Sequence, residues 1–307
     1  MTLEVTSDLR WKMPFRSNLF AAGFAASILL AFMAGVLAQR QGLMGGILRA
    51  LMPAQPQTAI LQTTSSWRDP FVLVVAGQSN AANHGHPRAR AGSGAYAFSV
   101  DGLFRLEDPL PGASGPDGSP WPHWAARRQL VQPGRQIVVA SIAQGSSAVA
   151  DWIDAGVHAQ RLPAVLAALR RQGLSVDALV WHQGETEAWS GGDPAAYAAA
   201  LRRWIASVRA LGITAPIYVC LTSRDGQGVI NPAIRQAQAS VWNRAAGVFA
   251  GPDTDSLGST YRSDGVHFNQ QGLEAFANLL ERAMASPSDR QAPTFVPITT
   301  GTRVHRD

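Results

Sequence analysis

Five short apolar runs, separated by longer helix-forming segments, constrain the fold of this chain more than any other feature of its 307-residue sequence. The first run, residues 71–76, contains no polar residue and is typical of a strand buried on both faces. The other apolar runs are residues 136–142, 178–181, 217–222 and 248–250. The segments with helical periodicity are residues 124–131, 158–172, 194–211, 232–245 and 271–285. Asp193 followed by Pro194 marks the start of one of these helices.

Strands that alternate with helices of this length need crossover connections, which generate a parallel sheet with helices on both faces. The sequence therefore predicts an α/β protein, a three-layer α/β/α sandwich around a parallel, flavodoxin-like sheet of about five strands. Ligands of such sheets bind beyond the carboxyl ends of the strands. Residues that directly follow the predicted strands are therefore the candidates for a functional site.

The N-terminal region contains an uncharged apolar segment at residues 19–38. Its length matches the roughly 20 residues that an α-helix needs to cross a bilayer core. Basic residues flank it at Arg10, Lys12, Arg16 and Arg40. Their excess on the N-terminal side favours a cytoplasmic N-terminus, which places the following domain in the periplasm or outside the cell. The alternative is a signal peptide cleaved after residues 36–38, which would release a secreted protein.

These features divide the chain into five parts. We expect a cytoplasmic N-terminal segment (1–18), a transmembrane signal-anchor helix or signal peptide (19–38), a linker (39–69), one folded domain (70–286) and a flexible tail (287–307). Within the domain, residues 100–120 are rich in Gly, Pro and Asp. This insertion is either a lid or a surface loop.

Charge and cysteine content exclude several classes of partner and site. The formal net charge is +5, yet residues 50–285 contain 18 basic and 17 acidic residues, so the excess lies in the flanking segments. No nucleic-acid partner is therefore expected. The single cysteine, Cys220, lies in an apolar run, which predicts a buried core residue. One cysteine also excludes an intramolecular disulfide and a cysteine-rich zinc site.

Polar groups follow three of the predicted strands, and a fourth group precedes the last predicted helix. They contain Ser79, Gly145, Gln183 and the pair Asp264 and His267. Ser79 lies two residues after Gly77 and is either an exposed nucleophile or a helix cap. An aspartate three residues before a histidine can orient the imidazole as a base. With the Gly145 N–H and the Gln183 amide as oxyanion donors, the groups together suit acyl transfer.

Other interpretations of single motifs are weaker. Glu185 and Glu187 would suit glycoside hydrolysis only if both carboxyl groups flanked one bond, which their spacing does not show. His84 and His86 form a potential metal pair without further ligands at suitable spacing, so a loop near Ser79 is the better interpretation and no metal site is expected. Four tryptophans near the predicted cleft either bind sugar or cover the sheet edges. They are Trp121, Trp124, Trp152 and Trp189.

Together these motifs resemble the SGNH hydrolase superfamily and, within it, the sialate O-acetylesterase-like carbohydrate esterases. The matching stretches are GQSN at 77–80, the region of Gly145, WHQGE at 181–185, DGVH at 264–267 and residues 234–238. The resemblance covers about residues 70–285 and implies an SGNH-type sheet. It also implies a catalytic triad of Ser79, His267 and Asp264. The implied oxyanion hole consists of the Ser79 and Gly145 N–H groups and the Gln183 side chain, with Gln78, Asn80 and Glu185 as supporting residues.

The resemblance implies a serine esterase that removes O-acetyl groups from carbohydrate through an acyl-enzyme, without a metal or organic cofactor. The first alternative is a membrane-anchored O-acetyltransferase that uses the same triad to modify an exported polysaccharide. The second is an inactive carbohydrate-binding module, against which the intact Ser, His and Asp set argues.

Overall fold

The computed structural model describes Trp67 and residues 69–288. The predicted N-terminal segment 1–18, the apolar segment 19–38, most of the linker and the tail from residue 289 lie outside the described residues. Within the part of the chain that is described, no helix is long and apolar enough to span a bilayer.

The described residues form one seven-stranded sheet flanked by six α-helices. The strands are β1 Phe71–Gly77, β2 Ala95–Ser99, β3 Gly102–Arg105, β4 Ile137–Ser141, β5 Ala178–His182, β6 Ile217–Leu221 and β7 Val248–Asp253. The helices are α1 Trp121–Val131, α2 Arg161–Arg171, α3 Glu185–Ser190, α4 Pro194–Ala210, α5 Pro232–Ala239 and α6 Gln270–Ala285. Short 3-10 turns lie at Ser79–Ala81, Val149–Trp152, Arg244–Ala246 and Ser259–Tyr261.

The strand order is β3-β2-β4-β1-β5-β6-β7, and only β2 and β3 pair antiparallel. All five predicted strands are present, and among themselves they follow the flavodoxin-like order second, first, third, fourth, fifth. The predicted number of about five strands was too low, because the short β2–β3 hairpin adds two. Its signal in the sequence is the dipeptide Asp101-Gly102, which favours a hairpin turn.

The layers of the sandwich follow from the burial of both faces of the sheet. Alternate residues of β1 belong to two separate apolar clusters, because successive side chains of a strand point to opposite faces. One cluster includes Leu166 of α2, Trp204 of α4 and Ile234 of α5. The other includes Trp121 of α1 and Phe276 of α6. The predicted three-layer α/β/α arrangement is thus confirmed.

The helix boundaries differ from the prediction at a few places. Helix α1 begins three residues earlier, at Trp121, and α5 ends at Ala239, short of the predicted residue 245. Helix α4 begins as predicted, with the Asp193 carboxylate accepting two backbone N–H groups of its first turn. The six-residue helix α3 was not predicted, since it is too short for a periodic signal. Cys220 lies fully buried in β6, as expected, and burial raises the pKa of its thiol.

The segment 100–120 is neither a separate lid nor a loose loop. It contains β3, and the rest is packed against the chain that follows β1. The Asn83 side chain accepts the Leu110 N–H at 2.8 Å and donates to the Leu110 and Ala113 carbonyls at 3.0 and 3.3 Å. The Asp108 carboxylate accepts the Ser119 hydroxyl at 2.6 Å. The Asn83 bonds hold the segment beside the carboxyl edge of the sheet, whereas the Asp108 bond lies within the segment.

Candidate active site

Ser79 lies at the carboxyl edge of the sheet, at the start of the 3-10 turn that directly follows β1. The chain turns out of the strand at Gly77, which has a φ of +139°. A Cβ there would lie 2.0 Å from the His182 carbonyl oxygen of β5, so no other residue fits. As the first N–H groups of the turn, those of Ser79 and Asn80 have no acceptor within it. The turn therefore presents a serine and two backbone donors at this edge.

Asn80 joins this turn to the segment that carries His267. Its amide nitrogen donates to the Val266 carbonyl at 3.2 Å, and its oxygen accepts the Phe268 N–H at 3.3 Å. These two peptide groups flank His267 in the sequence. The structure thus brings the segments of Ser79 and His267 together, although 188 positions separate Asn80 from Phe268.

Both carboxylate oxygens of Asp264 bind the segment that carries His267. One oxygen lies 2.7 Å from His267 Nδ1, and the other accepts the His267 and Val266 N–H groups at 2.7 and 3.0 Å. Burial would raise the pKa of Asp264, but the hydrogen bonds and charge of His267, together with these backbone donors, lower it well below its usual range. An ionised carboxylate therefore holds Nδ1, and Nε2 remains for another partner.

No hydrogen bond joins the Ser79 hydroxyl to His267 among the described residues. In free enzymes such catalytic hydrogen bonds are often long and tighten only with substrate. The structure therefore brings the three predicted triad residues to one edge of the sheet, with the contact of His267 and Asp264 already formed.

Gly145 lies in the turn after β4, beside the Ser79 turn. The Gln144 N–H donates to the Gly77 carbonyl at 2.9 Å, which holds the two turns together. The Gly145 N–H, a predicted oxyanion donor, is directed at the Ser114 hydroxyl, whose oxygen accepts it at 2.7 Å. The predicted donor is thus in the site but already has an acceptor.

Gln183 does not have the position predicted for it. Its side chain is fully buried, and its amide nitrogen donates to the Ser147 carbonyl at 3.0 Å and to the Glu187 carboxylate. Helix α3 begins at Glu185, two residues after Gln183. The helix places the Glu187 carboxylate next to the Gln183 side-chain amide. Since both amide hydrogens are used in the interior, the predicted oxyanion role of the Gln183 side chain is withdrawn.

The residues predicted to support the site lie against it. The Asn80 amide donates to the Glu185 carboxylate at 3.1 Å, and burial raises the pKa of Glu185. The Gln78 oxygen accepts the Thr186 N–H at 3.2 Å and so caps the start of α3. Glu187 accepts the Val149 N–H at 2.6 Å from the interior. Because the Glu185 and Glu187 carboxylates are buried and bind different partners, they do not flank a common cleft as a glycosidase requires.

Three further residues, to which the sequence assigned no role in the site, contact residues of the site. The His84 ring stacks on the His267 ring, with centroids 5.5 Å apart, and lies in the loop after the Ser79 turn, as predicted. The Arg262 guanidinium donates to the Val266 carbonyl at 2.6 Å and lies over the Phe268 ring. Ser114 binds the Gly145 N–H. Neither Arg262 nor Ser114 carries a recognisable motif, so only the packing of distant segments identifies them.

The tryptophans and the second histidine contribute little to the site. Trp121, Trp124 and Trp152 are buried in the core, and only Trp189, on α3, is largely exposed. His86 is exposed. Within the described residues no group of three or more His, Cys, Asp or Glu side chains could hold a metal ion.

The sequence matches the family model of sialic acid-specific acetylesterases, a carbohydrate esterase family, over residues 119–286. This range is more than half of the chain and includes Gly145, Asp264 and His267. The chain belongs to this carbohydrate esterase family. It is accordingly a carboxylic ester hydrolase. No curated protein sequence matches the chain.

Solved structures with TM-scores of 0.50 or more show the same fold. A protein from Arabidopsis thaliana superimposes with a TM-score of 0.61 at 20% identity, covering 71% of this chain and 99% of its own. A putative GDSL-like lipase from Parabacteroides merdae has a TM-score of 0.50 at 14% identity, covering 72% and 98%. A carbohydrate acetylesterase from Xanthomonas citri has a TM-score of 0.49 at 16% identity, covering 69% and 55%.

Proposed function

We propose that this carbohydrate esterase removes O-acetyl groups from sugars through a triad of Ser79, His267 and Asp264. The observation that carries the proposal is the pair of hydrogen bonds by which Asn80, the residue after Ser79, holds the peptide groups on both sides of His267. The acetylated sugar follows from the family to which the chain belongs.

In the first half of the reaction, Ser79 Oγ attacks the ester carbonyl carbon and its proton passes to His267 Nε2. The new C–O bond forces the carbonyl electron pair onto oxygen. The ionised Asp264 carboxylate stabilises the imidazolium, because its lowered pKa keeps it charged. The bond to the sugar oxygen then breaks, and that oxygen takes the proton from His267. The acetyl group remains on Ser79.

In the second half, water gives a proton to His267 and attacks the acetyl carbon. The bond between Ser79 Oγ and the acetyl carbon then breaks, Oγ takes the proton from His267, and acetic acid leaves and loses its own proton to the solvent. The negative oxygen of each tetrahedral intermediate is proposed to accept hydrogen bonds from the Ser79 and Gly145 N–H groups. A donor of this kind contributes roughly 3 kcal/mol to the stability of the transition state.

The test measures the release of p-nitrophenol from p-nitrophenyl acetate by the full chain and its Ser79→Ala variant. The proposal expects loss of nearly all activity, because no other group attacks the ester. Ser146→Ala is a matched control, since Ser146 is an exposed serine in the neighbouring turn. Activity that survives Ser79→Ala would overturn the mechanism. An acceptor oligosaccharide in a parallel reaction distinguishes transfer from hydrolysis, because a transferase would yield acetylated oligosaccharide.

We also propose that residues 19–38 hold the enzyme at a membrane with its catalytic domain outside the cytoplasm. The support is the sequence itself, an uncharged segment of bilayer length with basic residues before it. The full chain and a variant lacking residues 1–38 would be compared in membrane fractions washed at alkaline pH. Retention of the full chain alone is expected, whereas a shortened, released product would indicate a cleaved signal peptide.

A further inference from the structure

Ser114 occupies a hydrogen bond that the proposed mechanism needs. The Gly145 N–H has one hydrogen, and Ser114 Oγ accepts it at 2.7 Å. An N–H group serves a single acceptor well, because a hydrogen bond weakens steeply as its angle departs from linearity. An ester oxygen therefore cannot use this donor fully while the Ser114 hydroxyl remains in place.

The backbone of Ser114 is fixed from two sides. Its N–H donates to the Ala143 carbonyl at 3.1 Å, in the chain that follows β4, and its carbonyl accepts the Asn83 N–H at 2.9 Å. Asn83 in turn belongs to the loop that follows the Ser79 turn. Because both neighbours are part of the active-site edge, the hydroxyl can leave Gly145 only by rotation about the Cα–Cβ bond of Ser114.

His84 gives the hydroxyl a second partner. Its Nε2 lies 3.2 Å from Ser114 Oγ, and its ring stacks on His267. Burial and then the neighbouring His267 lower the pKa of His84 to about 4, opposed by Asp264, so the ring is neutral at neutral pH. A Cβ on Gly145 would lie 2.8 Å from the same Nε2. The close approach of His84, Ser114 and Gly145 thus depends on the glycine.

We propose that the Ser114 hydroxyl is a built-in competitor for the oxyanion site, which the substrate carbonyl must displace from the Gly145 N–H. The inference rests on the proposed function, in which this N–H stabilises the oxyanion. A charged oxygen makes a hydrogen bond roughly twice as strong as a neutral one. The developing oxyanion therefore displaces the hydroxyl, whereas a neutral acceptor competes with it on nearly equal terms. Ser114 acts as a specificity-determining residue that lowers the affinity of the site for weakly polarised carbonyls.

The test is the Ser114→Ala variant of the full chain. Its kcat/KM for p-nitrophenyl acetate should rise about three- to tenfold, the scale of one ordinary intramolecular hydrogen bond. The rate constant for inactivation by a p-nitrophenyl alkylphosphonate should rise by a similar factor, because the phosphoryl oxygen takes the same donor. Ser114→Thr keeps the hydroxyl and should stay within about twofold of the wild type. Ser146→Ala serves as the control for a serine lost from the exposed side of the neighbouring turn.

An unchanged or lower kcat/KM in Ser114→Ala, at an unchanged melting temperature, would overturn the inference. If that variant is unstable, Ser114→Cys replaces it, since a thiol is a weak acceptor and should also raise kcat/KM; no rise there would equally refute the idea. Failure of the proposed function is separate, because it would show as activity in Ser79→Ala. Damage to the fold cannot mimic the expected gain.

Discussion

Two carboxylates at the same edge of the sheet, Asp264 before α6 and Glu187 in α3, have opposite environments. The Asp264 side chain is 54% exposed, and its carboxylate binds the imidazole and backbone of His267. Glu187 is buried, and its carboxylate binds the Val149 N–H and the Gln183 amide. The pKa of Asp264 is lowered by its partners, whereas burial raises the pKa of Glu187.

The comparison shows that an acidic side chain at this edge of the sheet can bind a polar side chain without forming a catalytic pair with it. Asp264 holds a partly buried imidazole, 26% exposed, whose second nitrogen is not bound by this carboxylate. Glu187 instead satisfies two buried donors, which are costly to leave unpaired. We therefore expect changes at Asp264 to affect rate and changes at Glu187 to affect stability.

The largest effect is expected for Asp264→Asn, which should lower kcat by about 10³- to 10⁴-fold. The neutral amide neither stabilises the imidazolium nor selects the correct tautomer of His267. Steady-state kinetics on p-nitrophenyl acetate measure this effect. Asp101→Asn, in the exposed turn between β2 and β3, is the matched control and should leave kcat unchanged. A kcat within tenfold of the wild type would remove Asp264 from the proposed triad.

For Glu187→Ala we expect a loss of about 2–4 kcal/mol in the free energy of unfolding, because the buried donors of Val149 and Gln183 lose their acceptor. Urea denaturation followed by tryptophan fluorescence measures it. The kcat of the folded protein should fall by less than about tenfold, since Glu187 binds no reacting group in the proposed mechanism. A large loss of kcat in Glu187→Ala, with no loss in the free energy of unfolding, would contradict the distinction between the two carboxylates.

Arg262→Met sharpens the comparison, because it loosens the His267 segment without changing a residue of the proposed triad. The variant keeps an apolar side chain beside Phe268 but removes the donors to the Val266 and Thr254 carbonyls. We expect kcat to fall about tenfold with KM unchanged, because small misplacements of a catalytic group are costly. Arg244→Met, another arginine over a phenylalanine ring, should have no effect on kcat. An equal loss in both variants would argue against positioning by Arg262.

The smallest effect concerns pH. Burial raises the pKa of Glu185, so the folded state binds its proton more tightly than the unfolded state does. The resulting stabilisation is present at acidic pH and disappears as the pH rises through the raised pKa. Asp264 has a lowered pKa, so its contribution to the free energy of unfolding has the opposite pH dependence. This contribution is lost only when the pH falls below the ordinary aspartate range.

The free energy of unfolding of the wild type and Glu185→Gln would be measured by urea denaturation from about pH 5 to about pH 8. The wild type should lose more stability than the variant over this range. Identical slopes would show that Glu185 has no raised pKa in the folded protein.

Features with a local cause were predictable from the sequence. The contact of Asp264 and His267 spans three positions, and the cap of α4 by Asp193 spans two or three, so adjacent residues contain all the information. The five main strands were predicted because each is a run of apolar residues. Gln183 was assigned wrongly although Glu187 is only four positions away. Its orientation depends on α3, which is too short to give a periodic signal.

By itself, the sequence determined the alternation of strands and helices, the family and the contact of Asp264 with His267, because each depends on neighbouring residues or on a motif. Only the tertiary structure decided which groups meet at the edge of the sheet. Asn80 reaches Val266 across 186 positions, Gly145 reaches Ser114 across 31, and His84 stacks on His267. Such contacts depend on strand order and loop packing, which the spacing of residues along the chain does not encode.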